Sequence, residues 1–440
     1  MIDVVDGIFR RVSEDIPENP FVLRLWDGTE RRYGAGSPRF AISVDGPATL
    51  SEMATRGSLG TGEAYMSGAL EVEGDLQSFA RLAFHPAVKT LQIRPRDKAK
   101  ILALYLRNRN SVRKARQNIE HHYDLGNDFY QLWLDDTMTY SCAYWRDDCD
   151  DLEMAQRAKY EHICNKLHLQ EGERLVDVGC GWGGMLLYAA QEYGVEGVGY
   201  TLSTEQHRFA NERLKAAGLY PQVRAELLDY RDAEGEFDKF VSIGMFEHVG
   251  KEYYGEFFSK VGELLAPGGV GVLHTIGTQC EADVDPWIGK YIFPGGYLPT
   301  LGQICESMGQ TDLVATDVEN LRLHYARTLD AWAERFESCV DEVRRRFSES
   351  FVRMWRFYLH ASAAGFKYGD ARVYQVTFTN GLRSDLPLTR AHLYEPKTRS
   401  RRDAQPPRRA AGQPLIRRQV APSCSSKVRR GAPSAAATYT

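Results

Sequence analysis

At 440 residues, with 43 % hydrophobic side chains and a formal net charge of −4, the chain is too long for one ordinary domain, and two or three domains with a sizeable core are expected. No uninterrupted apolar run approaches the roughly 18 to 20 residues that cross a bilayer, so any membrane contact is expected to be peripheral. The eight cysteines form no C-x-x-C pair, and Met1-Ile2-Asp3-Val4-Val5-Asp6 has neither a basic start nor an apolar stretch, which predicts reduced thiols in a cytosolic protein.

Residues 1–90 read as alternating strands and turns of a small domain. Phe21–Trp26 and Thr29–Tyr33 flank Asp27-Gly28, a hairpin signal suited to a primed turn. Phe40–Val44 is a further strand, and Asp75 is placed to cap a helix starting near Leu76. No catalytic constellation occurs here. Residues 91–120 read as a basic helical linker: from Lys89 to Arg116, the basic residues Lys89, Arg94, Arg96, Lys98, Lys100, Arg107, Arg109, Arg113, Lys114 and Arg116 surround a single acid, Asp97. A solvated helix face accounts for such a run, as does attraction to anionic headgroups. Too few aromatics are interleaved for a nucleic-acid platform. The adjacent His121 and His122 lack companions at ligand spacing, so no metal site is expected.

The next domain, 121–395, is organised around Leu175-Val176-Asp177-Val178-Gly179-Cys180-Gly181-Trp182-Gly183-Gly184. A β-branched run, alternating glycines and then an apolar helix pattern from Met185 spell strand, tight turn and helix. Such a turn at the switch point of a doubly wound sheet can bring backbone amides close to a bound molecule. Asp177-x-Gly179-x-Gly181-x-Gly183 resembles the first motif of class I S-adenosylmethionine (AdoMet) methyltransferases and lacks the GK[ST] ending of a phosphate loop. A second strand, Gly197–Leu202, has no acid at its tip for the ribose hydroxyls, so Thr201, Ser203 and Gln206 are expected there. Strands over 223–229, 239–246 and 270–273 follow. The last two deliver Glu247 and His274 to adjacent strand ends, where ligands bind in open α/β sheets. From Cys280 to about Glu319 an aromatic- and proline-rich stretch exceeds a crossover and reads as a functional cover. Helices through Phe366 and a strand at Val373–Phe378 complete the domain. From Pro396 onward eleven basic residues face Asp403 alone, in a Pro-, Ala-, Ser- and Arg-rich tail (396–440) with little to bury, which reads as disordered.

Taken together, H-x-Y-D-x-G-N-x-F-Y from His121, Y-S-C-A-Y-W from Tyr140, D-x-G-C-G-W-G from Asp177 and T-L-S-x-E-Q from Thr201 resemble the cyclopropane fatty acid synthase family, which includes the mycolic acid cyclopropane synthases. The likeness spans roughly residues 20 to 390. It implies an α/β fold: a class I AdoMet methyltransferase (Rossmann-like) catalytic domain with a lipid-channel insert at about 280–345, joined to a small N-terminal α+β domain similar to sterol carrier proteins. For that small domain, lipid presentation and simple buttressing both remain open.

The resemblance further implies the chemistry. A cis double bond of a phospholipid acyl chain takes the AdoMet methyl, and a base removes a proton from that methyl so that a cyclopropane ring closes. The implied base is a bound bicarbonate, held by residues matching Cys142, Glu247, His274, Ile276 through its backbone, and Tyr325. Glu247 would accept from the bicarbonate or orient His274. The implied AdoMet contacts are Tyr140, Ser141, Asp177, Gly179, Cys180, Gly181, Thr201, Leu202, Gln206, Tyr230 and Arg231. At Ser362 many relatives carry a cysteine, and the expectation is that this thiol is dispensable. The implied setting is a cytoplasmic protein, often a homodimer, peripherally associated with the inner face of a membrane whose unsaturated phospholipid is its substrate. A methyl-branched or methylene product, a non-catalytic lipid-binding protein and a small-molecule methyltransferase are the alternatives.

Overall fold

The computed structural model describes residues 2–89 and 125–394. The basic linker expected over 91–120, the His121-His122 pair and the tail from 396 lie outside the described residues.

In the N-terminal part, helix α1 (Ile2–Asp15) precedes the expected hairpin of β1 (Phe21–Arg24) and β2 (Glu30–Tyr33), with Gly28 at φ 84° in its turn. Strand β3 (Phe40–Val44) runs parallel to β1, and β4 (Leu70–Gly74) pairs antiparallel with β3, giving the sheet order β2-β1-β3-β4. Asp75 caps helix α3 (Leu76–Arg81), its carboxylate accepting from the amides of Gln77 and Ser78. Two helices not read from the sequence precede the one expected at Leu76: α1 and helix α2 (Pro47–Ser67), which bends at Gly57 (φ 57°, ψ −131°). In α1 the apolar residues Val5, Ile8, Phe9 and Val12 already stand at helical spacing, whereas α2 carries three glycines at 57, 60 and 62. Packing, not propensity, keeps α2 helical.

The second part is a seven-stranded sheet of order β10-β11-β9-β8-β5-β6-β7. Its strands are β5 (Arg174–Val178), β6 (Glu196–Thr201), β7 (Val223–Leu227), β8 (Phe237–Ile243), β9 (Leu265–Thr278), β10 (Leu313–Asn320) and β11 (Ala371–Asn380). Strands β5 to β9 are mutually parallel, and β11 runs antiparallel to both neighbours. The chain moves outward through β5, β6 and β7 and then returns to the other side of β5 with β8, which makes a switch point at the C-terminal ends of β5 and β8. Helices α4 (Leu152–Leu167), α5 (Gly184–Tyr193), α6 (Thr204–Ala216), α7 (Tyr254–Leu264), α8 (Pro286–Tyr291), α9 (Leu301–Met308), α10 (Arg322–Ser338), α11 (Val340–Arg346) and α12 (Glu349–Tyr368) complete it. The stretch expected to be one long cover through Glu319 in fact contains α8, α9 and the edge strand β10.

A continuous apolar cluster joins the two parts, from Phe21, Phe40 and Phe79 through Trp287 to Trp332, Trp355 and Phe366. At Gly62 a Cβ would stand 2.3 Å from Trp287 Cδ1, so α2 and α8 approach as closely as they do only because residue 62 has no side chain. Arg353 of α12 donates from Nη2 to the Leu70 carbonyl at 2.9 Å.

Candidate active site

The switch point opens into a cavity. All eleven residues expected to contact AdoMet line it, joined by Lys159, Trp182, Asp229, Met245 and His248. Gly179, Gly181 and Gly183 all have positive φ (84°, 54° and 76°). One expectation is corrected: the amides of Gly179 and Cys180 both donate to the Tyr200 carbonyl at 3.0 Å, so they fasten the turn to β6 and do not face a ligand. What the glycines provide is space. A Cβ on Gly179 would meet Met245 Cβ at 2.6 Å, and one on Gly181 would meet nothing within 4 Å. At the tip of β6, Thr201 donates to Gln206 Oε1 at 3.0 Å, while Ser203 is the cap of α6, accepting from the Gln206 amide at 3.3 Å. Ser203 is therefore not on the cavity wall.

Two buried charges stand on that wall. Asp177, at the end of β5, has Oδ1 without a partner, and burial pushes its carboxyl up to about 7. Lys159, on α4, is fully buried and donates to Ser141 Oγ at 3.0 Å; burial lowers its ammonium to about 8. Lys159 was not singled out from the sequence, although a lysine four residues from Ala155 and Ile163 on an apolar helix face is a readable signal.

A second cavity of about 640 Å³ shares Tyr140, Ser141, Gly244 and His248 with the first. Cys142, Glu247, His274, Ile276 and Tyr325 all line it, arriving from a loop, a turn after β8, strand β9 and the first turn of α10. Glu247 is buried; the Ile276 amide donates to its Oε1 at 2.6 Å and its Oε2 has no partner. Burial pushes this carboxyl up to about 7. Burial likewise holds the Cys142 thiol far above its ordinary range, as an uncharged group directed at the Ala143 carbonyl, 3.2 Å away, and holds the His274 imidazole neutral.

Two details differ from expectation. The Ile276 N–H, expected to face an oxyanion, is taken by Glu247. His274 is oriented not by Glu247 but by Gln375, which sits opposite it in the β9–β11 register and has Nε2 3.0 Å from Nδ1. With Nδ1 accepting from that amide, Nε2 carries the imidazole proton. Gln375 was not recognised from the sequence; a glutamine inside the run Val373–Phe378 was its only sign.

The remaining wall is greasy. The N-terminal part gives Leu50, Met53, Phe79 and Phe84, the segment after Cys280 gives Trp287, Phe293 and Leu298, and α12 gives Phe357, Ala361, Ser362 and Phe366. The N-terminal part thus supplies a large share of the enclosure.

Comparison with known proteins decides the family. The profile of the mycolic acid cyclopropane synthetase family matches residues 110–376, and one for a domain of unknown function, DUF7884, matches residues 8–93. The chain belongs to the mycolic acid cyclopropane synthetase family. It is 42 % identical over 356 residues to the cyclopropane-fatty-acyl-phospholipid synthase of Escherichia coli strain K12, covering 81 % of this chain and 92 % of that one. It is 38 % identical over 387 residues to a probable fatty acid methyltransferase of Pseudomonas putida, covering 85 % and 96 %. Among solved structures, mycolic acid cyclopropane synthase CmaA1 complexed with SAH and CTAB superposes with a TM-score of 0.57 at 35 % identity, over 60 % of this chain and 98 % of that one. Fold and family alike make this protein an AdoMet-dependent methyltransferase.

Proposed function

We propose that this enzyme transfers the methyl carbon of AdoMet to the cis double bond of an unsaturated phospholipid acyl chain and closes a cyclopropane ring. The observation that carries this is the meeting of the two cavities at Tyr140, Ser141, Gly244 and His248. It would set an acyl chain in the apolar space against a methyl donor in the polar one, a near-attack arrangement.

The residues present fit both small ligands. In the first cavity Asp177 Oδ1 and the Tyr230 hydroxyl are buried without partners, and in the second Glu247 Oε2 is the same, a place for a bicarbonate O–H. AdoMet brings an electrophilic methyl on a sulfonium, and bicarbonate brings a weak oxyanion base. The protein's own contribution is positional and dielectric. His274 Nε2–H and the Tyr325 hydroxyl donate to an anion, and Glu247, while its buried carboxyl carries a proton, adds no second negative charge beside it. With the Cys142 thiol uncharged, no thiolate at that position stands ready to trap a carbocation. The apolar wall excludes water, which would do the same.

Among the described residues no helix is long and apolar enough to cross a membrane. Reaching phospholipid therefore implies peripheral association, which we place at the cytoplasmic face. A homodimer accords with the family. A second reading, methyl transfer ending in a branched or methylene chain, is favoured by the likeness to the probable fatty acid methyltransferase of P. putida.

The test is incubation of purified protein with AdoMet and vesicles of cis-unsaturated phospholipid, followed by mass spectrometry and NMR of the fatty esters. Gain of one CH2 with cyclopropane protons supports the first reading and gain of CH2 with new methyl or vinylidene signals the second. No gain of mass, with AdoMet bound, overturns both.

A further inference from the structure

We infer that Thr328 is a positioning residue for the anion in the second cavity: its hydroxyl ties the loop that carries Cys142 to the helix that carries Tyr325. The inference rests on the reading of that cavity as the place where bicarbonate is held, and adds to it a group that stands behind the cavity wall.

Thr328 lies on α10 about one turn after Tyr325 and is fully buried. Its hydroxyl oxygen accepts from the Ala143 amide and from the Trp145 indole Nε1, each at 3.1 Å, and the hydroxyl donates to the His324 carbonyl at 2.8 Å. A hydroxyl has one donor and two acceptor sites, so this one is saturated. The bond to His324 stays within the helix, where back-bonding of that kind slightly weakens it. The other two bonds leave the helix and hold the loop at residues 143 and 145. The same loop meets the head of α10 at two further points: the Trp145 amide donates to His324 Nδ1 at 2.9 Å, and Cys142 Sγ is 3.9 Å from the Leu321 carbonyl. Cys142 and Tyr325 therefore reach the cavity from two segments whose spacing Thr328 fixes. Valine has the shape of threonine but would leave two buried N–H groups without their acceptor. The part of the loop that faces the first cavity is held elsewhere. Gln156 donates to the Ser141 carbonyl at 3.0 Å, and the Tyr140 and Tyr358 hydroxyls are 2.8 Å apart. Loss of the Thr328 hydroxyl should thus loosen the anion side and spare the AdoMet side.

The test measures turnover of the full-length protein on vesicles of cis-unsaturated phospholipid, with saturating AdoMet, in CO2-free buffer to which bicarbonate is added back. In Thr328→Val the bicarbonate concentration at half-maximal rate should rise about 10- to 100-fold, the scale of a small misplacement near reacting groups, while calorimetric affinity for S-adenosylhomocysteine stays within about 2-fold of wild type. Thr328→Ser, which keeps the hydroxyl, should restore the wild-type concentration. Thr328→Cys, whose thiol is a weak acceptor, should behave as Thr328→Val does, and serves if the latter fails to fold. A hydroxyl that only satisfied buried N–H groups would lower Tm when lost and leave the half-maximal bicarbonate concentration unchanged; that result overturns the inference, as does equal weakening by serine and valine. A wild-type rate indifferent to added bicarbonate overturns the anion reading itself, and the inference with it.

Discussion

Gln375 faces His274 directly across the β9–β11 pair, its Nε2 3.0 Å from the imidazole Nδ1, and both side chains are buried. A neutral histidine has two tautomers, and the amide selects the one whose Nε2 carries the proton. Gln375→Leu should therefore lower turnover about 10²-fold, the usual worth of a positioned proton donor, with S-adenosylhomocysteine affinity within about 2-fold of wild type. Gln375→Glu should act differently. A carboxylate accepts from Nδ1–H and favours the imidazolium, so the pH–rate profile should gain a titration limb that the wild-type profile lacks. Steady-state assays across pH 6–9 would read both effects, and an unaltered profile for Gln375→Glu would remove Gln375 from the positioning of His274.

Glu247→Gln preserves an acceptor for the Ile276 amide but cannot exchange a proton. Turnover should fall at least 10²-fold while the affinity for S-adenosylhomocysteine stays nearly constant.

The same variant tests the electrostatics. The carboxyl titrates at about 7 when folded against an ordinary 4.5, so the folded chain holds a proton that the unfolded chain has released. Its stabilising contribution is full below about pH 4.5 and is lost as pH rises through 7. Glutamine has no such dependence. The difference in Tm, variant minus wild type, should therefore grow by roughly a few degrees between pH 5 and pH 8, as scanning calorimetry would record; a difference that shrinks with pH would contradict the buried, neutral carboxyl.

Gly62→Val would force a Cβ into Trp287, a residue 1 % exposed. Overpacking of this kind costs about 1–3 kcal/mol, and here it would also part α2 from α8 and open the greasy enclosure. Product formation on vesicles should drop sharply while the nucleotide-side affinity stays within about 2-fold. Full activity in Gly62→Val would mean that the contact does not matter for catalysis.

Ser362 lies on α12, on the wall of the apolar cavity, and is not one of the groups assigned to the anion. Ser362→Cys and Ser362→Ala should both keep turnover within about 2-fold of wild type; a larger rise with cysteine would show that a thiol at this place takes part.

Much of this was readable from residue order. The glycine turn after Val178, the strand tip at Thr201, and the arrival of Glu247 and His274 at neighbouring strand ends follow from β-branched runs broken by turn residues, signals local to a few positions. Strand β10 escaped because Leu313–Asn320 is an edge strand in which Asp317 and Glu319 are half-buried, so its pattern is more polar than that of a central strand. Lys159 and Gln375 escaped for a related reason. Each is a polar residue in an apolar element, and only the fold says whether such a residue meets solvent, a partner or a site. The enclosure itself is assembled from segments as far apart as Leu50 and Phe366, a relationship no local pattern encodes.

That a large share of the enclosure comes from the N-terminal part separates appetite from chemistry. A substitution at Met53 or Phe84 can alter which fatty tails are admitted, by length or bend, without disturbing the groups that handle the methyl and the proton. If the proposed function holds, selection could retune which acyl chains enter through substitutions in residues 2–89 while the reaction centre stayed as it was.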